Sequence, residues 1–187
     1  MMTFFYRKNM KRRNRILKLV LSGLFLALAF VLPFLTGQIP EIGNMFCPMH
    51  LPIILAGFIC GWPYGLLIGF IAPILRSLIL GMPPMFPKAI CMAVELATYG
   101  FTAGLTYKLL PKKKGFIYLS LIISMLVGRA VWGVAMYLCM FSQGNAFTFA
   151  AFIASAFTNA IPGIILQIVL IPIIVMIYEK TSKRNKE

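Results

Sequence analysis

The chain contains no aspartate, and its 187 residues carry only four acidic side chains, all glutamate, and one histidine, His50. Chemistry that needs an intramembrane aspartate is therefore excluded. There is no Gly-x-Ser-x-Gly turn of the kind that exposes a serine nucleophile. A His-Glu-x-x-His zinc motif and a Gly-x-x-x-x-Gly-Lys-Ser/Thr phosphate loop are also missing. These absences argue against an enzyme and against ATP hydrolysis by this chain; no cofactor is expected. The four cysteines, Cys47, Cys60, Cys91 and Cys139, lack metal-ligand spacing, so no metal site and no disulfide framework are expected. The last three lie in apolar runs, where cysteine acts as a small hydrophobe.

What the chain has in excess is apolar surface. Sixty per cent of its residues are hydrophobic, more than a soluble domain of this length can bury, which makes it a polytopic membrane protein. The net charge of +14 could suggest nucleic acid, but its distribution argues otherwise. Of the 18 Lys and Arg, seven lie between Arg7 and Lys18, four between Lys108 and Lys114, and four between Lys180 and Lys186. Those clusters flank apolar spans, as the positive-inside rule describes. The expected surroundings are therefore membrane lipid, with no nucleic acid. The N-terminal basic region runs into a long apolar span without a small-residue cleavage site, so no cleavable signal peptide is expected.

The expected fold class is an all-α membrane protein with six transmembrane helices and both termini cytoplasmic. Residues 1–15 form a basic arm, 16–178 the six-helix transmembrane domain, and 179–187 a basic tail. The spans are expected at about 16–35, 50–61, 66–80, 88–109, 116–141 and 149–178. The second is short for a bilayer, which needs about 20 residues. The sixth would be about 45 Å long as one helix, so part of it is expected to be loop or strongly tilted. Residues 36–49 form a long first outer loop. Gly61-Trp62-Pro63-Tyr64-Gly65 reads as a tight turn, Pro73 as a kink, and Gly23 with Ala27 as a small-residue face that lets another helix approach closely.

Arg76, Glu95 and Arg129 fall inside apolar spans, and His50 and Lys88 at the outer edge. Ionisable groups in such positions usually face a bundle interior or a wet cavity. Lys88, Cys91, Glu95 and Thr98 or Tyr99 share one helix face by their spacing. Trp132 lies one turn beyond Arg129, and Ser155 one turn from Asn159. Convergence on one outward pocket is one reading; a purely structural Glu95–Arg129 pair is the other. Arg76 could line the pocket or snorkel to the interface, and snorkelling is the favoured reading for Lys88. His50, Tyr99 and Trp132 could be ligand contacts, or interfacial and packing residues. The surplus of positive charge points to an anionic ligand, such as a carboxylate held by arginine.

Pro48-Met49-His50-Leu51-Pro52, Gly57-Phe58-Ile59-Cys60-Gly61-Trp62, Arg76-Ser77, Gly81-Met82-Pro83-Pro84 and Glu95-Leu96-Ala97-Thr98-Tyr99-Gly100 together resemble the substrate-binding S components of energy-coupling-factor (ECF) transporters. The resemblance implies a six-helix protein of the bacterial plasma membrane that binds a vitamin or related micronutrient at its outer side. It implies as partners a transmembrane coupling subunit and two cytoplasmic ATPase subunits, with the S component toppling to deliver its ligand. It places substrate contacts in the first outer loop and the outer halves of helices four to six, here Glu95, Tyr99, Arg129, Trp132 and Asn159; His50 and Arg76 join the expected site on their charge and position. Its first-helix Ala-x-x-x-Ala contact for the coupling subunit corresponds here to Gly23-Leu24-Phe25-Leu26-Ala27, with glycine in the first place. Pantothenate and nicotinate fit the positive surplus. The competing readings are a stand-alone ion-coupled carrier of a small anion that uses Glu95, and a membrane scaffold with no small ligand.

Overall fold

A computed structural model describes residues 2–36, 45–111 and 113–184. All regular structure among them is helical. Helix α1 spans Met2–Val31 and ends in a 3-10 turn, Leu32–Thr36. Helices α2 (His50–Cys60) and α3 (Trp62–Leu80) follow, then a kinked segment, Met85–Ala89, in which Phe86 is extended (φ −119, ψ 133) and which leads into α4 (Ile90–Leu109). The chain continues through α5 (Lys114–Ser142), a short α6 (Phe149–Ile153) prolonged by the π turn Ala154–Thr158, and α7 (Ile161–Arg184).

Five segments among the described residues are long and apolar enough to cross a membrane: Arg15–Leu35, Trp62–Leu80, Met85–Leu109, Lys114–Ser142 and Ile161–Ser182. The expected second span corresponds to α2, whose 11 residues rise only about 16 Å. The expected sixth span is two helices. Thr148 caps the first through its hydroxyl, which accepts from Ala151 N at 3.2 Å. A turn at Asn159–Ala160 separates it from α7, where Pro162 sits in the first turn, the place where a missing N–H costs least. Helix α1 runs unbroken from Met2, so the basic arm is helical and continuous with the first apolar segment. Most of the expected first outer loop, 37–44, lies outside the described residues.

The expected Gly-Trp-Pro-Tyr-Gly turn is tighter than the sequence suggests. Gly61 alone leaves the helices, at φ +103, and α3 begins at Trp62 with Pro63 in its first turn. Pro73 lies inside α3, which continues past it to Leu80. The core is built on α2, of which His50, Pro52 to Phe58 and Cys60 are all buried. Around it, α3 packs on α4 and α4 on α5.

Glycine makes the α2–α3–α4 seam. A Cβ at Gly100 would lie 2.3 Å from Gly65 O, one at Gly57 2.5 Å from Gly100 O, and one at Gly69 2.3 Å from Leu96 O. Backbone meets backbone there, the close approach that small residues permit. By contrast, a Cβ at Gly23 would meet nothing within 4 Å. Gly23 and Ala27 are both exposed on α1, so they do not serve packing within this chain.

The two ends of the bundle differ. At one end Lys114, Glu179 and Lys180 lie together, Tyr107 donates to Glu179, and Lys18 Nζ would be 4.0 Å from a Cβ at Gly61. Lysine thus also reaches the α2–α3 junction, which carries no basic residue of its own. The cavity lies toward the other end.

Candidate functional site

The cavity has a volume of about 530 Å³. It is reached by the first turn of α2, the last turns of α3, the start of α4, the second half of α5 and the α6–α7 junction. His50, Arg76, Lys88, Glu95, Arg129, Trp132 and Asn159 all line it. Six of the seven residues expected in the site, spread over 110 positions of sequence, therefore meet there, with Lys88 beside them.

Glu95 is the hub. It is 2% exposed, and its Oε1 lies 3.1 Å from Arg129 Nη1 and 3.4 Å from His50 Nε2. A carboxylate in this setting is held by charge and hydrogen bonding together. Arg129, 7% exposed, also donates from Nη2 to Cys47 Sγ at 3.5 Å, while its Nε finds no acceptor among the described residues. His50 Nδ1 is likewise buried without a partner. Unsatisfied buried donors are costly. Arg129 Nε is such a donor, left over beside the carboxylate, whereas His50 Nδ1 is an acceptor in the neutral ring when Nε2 donates to Glu95.

Arg76 does not snorkel. It is 4% exposed and donates from Nη1 to Phe30 O at 2.8 Å, with its guanidinium 5.3 Å from the Phe34 ring centroid. It ties the end of α1 to the end of α3 while it lines the cavity. Lys88 is exposed and stands at the cavity edge.

Tyr99 is the correction to the expected set. It is 0% exposed and does not line the cavity. Its ring meets the His50 ring edge-on, with centroids 5.2 Å apart, and leaves so little room at Gly128 that a Cβ there would sit 2.9 Å from it. It is packed under His50 as a support. Cys91 also leaves the expected face. Its sulfur lies 3.6 Å from Cys139 Sγ on α5, and Met92 takes the cavity position between Lys88 and Glu95. Trp132 lies alongside Phe152 with planes 25° apart and against the edge of Phe147. It is therefore a packing residue and a lining residue at once.

Sequence reasoning missed the role of Cys47 and of five methionines in the lining: Met49, Met82, Met92, Met136 and Met140. Burial pushes the Cys47 thiol up, against the pull of Arg129, so Arg129 meets a neutral sulfur there. The available signal was the spacing of Arg129, Trp132, Met136 and Met140, which repeats one face of α5.

Residues 17–175 match the family model described as ECF transporter, substrate-specific component. The chain belongs to that family. No curated protein and no solved structure matches it. Membership gives this S component a substrate-binding role in transport, and the charged cavity is its candidate binding site. The family match covers every residue of the expected set and stops short of both basic termini.

Proposed function

We propose that this S component binds a small anionic micronutrient in the cavity, with Arg129 as its principal charge partner and Glu95 holding Arg129 in place. The observation that carries the reading is the charge inventory. Among the described residues, Arg76, Arg129 and Lys88 line the cavity against a single acid, Glu95. Such groups are rare in apolar segments unless they serve a pathway or a ligand. Arginine suits a carboxylate because its planar fork offers two parallel donors. Pantothenate and nicotinate are candidates on charge. His50, Trp132 and Asn159 complete the wall, and Arg76 supports it from the α1 side.

The same reading makes residues 16–178 one substrate-binding unit of the cell membrane that crosses six times, with α2 and its approach as the short crossing. Both basic termini would face the cytoplasm by the positive-inside rule, which directs the cavity outward. Uptake would be driven by two cytoplasmic ATPase subunits through a transmembrane coupling subunit. The exposed Gly23–Ala27 face of α1 offers that subunit a close approach.

The test is a thermal-shift screen of the purified protein against water-soluble vitamins and their precursors. A ligand that binds only the folded state raises stability by mass action, about 2.7 kcal/mol at a hundredfold excess over Kd. A shift with an anionic compound supports the reading. A shift confined to neutral or cationic compounds refutes it.

A further inference from the structure

We infer that the ligand of this cavity is an amphipathic carboxylate with an apolar, polarisable body, and not a small or polyhydroxylated acid. This rests on the anion site proposed above and concerns the rest of the ligand. Five of the chain's 12 methionines line this one cavity. They come from separate segments: Met49 precedes α2, Met82 lies between α3 and α4, Met92 is on α4, and Met136 and Met140 are on α5. On α5 the order Arg129, Trp132, Met136, Met140 sets a charge first, then an aromatic ring, then two thioethers along one face. On α4, Met92 falls between Lys88 and Glu95.

That order dictates the ligand's polarity. A carboxylate placed at Arg129 leaves its body lying along Trp132, Met136 and Met140. Thioethers accept hydrogen bonds only weakly. Hydroxyl or amide groups along the body would lose water there and gain little in return. An apolar body gains from burial, and an aromatic or sulfur-bearing one gains further from contact with the soft sulfurs. Methionine is unbranched, so the wall can adjust to the shape of the body while it stays apolar. Ser155 and Asn159 line the cavity at the α6–α7 junction and can take one further polar group.

The experiment measures Kd on the full chain in lipid nanodiscs, with empty nanodiscs subtracted. The probes are phenylacetate, 3-phenylpropionate, 4-phenylbutyrate, 4-phenylbutyramide, nicotinate and pantothenate. Each added methylene should tighten binding roughly fourfold, and 4-phenylbutyrate should outbind nicotinate and pantothenate. Met82→Gln with Met92→Gln, on partly exposed side chains, should weaken 4-phenylbutyrate roughly tenfold and leave nicotinate unchanged. Flat affinity along the series, no binding by any member, or preference for pantothenate overturns the apolar-body inference. Pantothenate preference does so while leaving the anion site intact. Equal binding of the amide and the acid has the opposite meaning: it overturns the anion site on which the inference rests.

Discussion

Glu95 and Arg129 meet at 3.1 Å across the α4–α5 seam, both almost fully buried and both lining the same cavity. The ion pair and the cavity wall, alternatives on the sequence alone, therefore involve the same two side chains. They separate in a double-mutant cycle. Removing one partner leaves an uncompensated buried charge, which costs about 3–5 kcal/mol. Arg129→Met or Glu95→Gln alone should lower the unfolding midpoint sharply. Glu95→Gln with Arg129→Met should recover most of that loss, since replacing a whole buried pair is often neutral. If the pair also serves the ligand, the stable double variant still binds nothing in the vitamin screen. A double variant that binds like the parent would restrict the pair to a structural role.

Arg76 allows a similar separation at the end of α1. Its bond to Phe30 O satisfies a carbonyl at the helix end, and its position over Phe34 adds a weaker attraction. A hydrogen bond from a charged donor contributes about 1.5–3 kcal/mol, and a cation–π contact between a buried arginine and a half-exposed ring about 0.5–2 kcal/mol. Arg76→Ala should cost more stability than Phe34→Leu, and hydrogen exchange should rise near Phe30 in the first variant only. Equal costs in thermal unfolding would show that the backbone bond contributes little.

The site was more legible than the packing that supports it. Charge inside apolar runs is rare enough that Arg76, Glu95 and Arg129 stood out, and helical spacing then placed Lys88 and Glu95 on one face. Tyr99 shared that face by spacing, yet the cavity stops at His50, and spacing carries no information about depth. The methionines look in sequence like ordinary core, because what distinguishes them is convergence from distant segments. The α2–α3–α4 seam was hidden for the same reason. Gly57, Gly65 and Gly100 become partners only when three helices cross, whereas Gly23 and Ala27 carry an obvious local pattern and face outward. The unbroken α1 follows from the good helix propensity of lysine and arginine, which outlasts the change from polar to apolar sequence.

That contrast between glycines is itself testable. Gly100→Ala drives a methyl to 2.3 Å from Gly65 O, and a backbone carbonyl cannot step aside without separating the helices. Overpacking of a tight core usually costs about 1–3 kcal/mol, and a backbone-to-backbone clash should reach the top of that range or exceed it. Gly23→Ala meets open space and gains helix propensity, so stability should hold or rise by up to about 1 kcal/mol. Thermal unfolding of the two variants checks both. Uptake by cells that express Gly23→Ala then reports on the exposed face separately from folding. A stable variant with impaired uptake and normal ligand affinity would assign that face to a partner.

Cys91 and Cys139 supply a direct check on the α4–α5 seam near the start of α4. Their sulfurs are 3.6 Å apart, Cys91 buried and Cys139 partly exposed. Closing to a disulfide requires the sulfurs to approach by about 1.5 Å, given an S–S bond of about 2.05 Å. Diamide, an azo oxidant, should take up the two electrons and two protons as the bond forms. Cys47 and Cys60 are buried on other segments and should not be consumed. The expected result is one intramolecular bond per chain, seen by mass spectrometry as a linked Cys91–Cys139 peptide pair and reversed by dithiothreitol. Cys91→Ser or Cys139→Ser should abolish it. Linkage of either residue to Cys47 or Cys60 would instead mean that α4 and α5 are packed in a different register. In that case the Glu95–Arg129 contact, which lies farther along the same seam, could not stand as described.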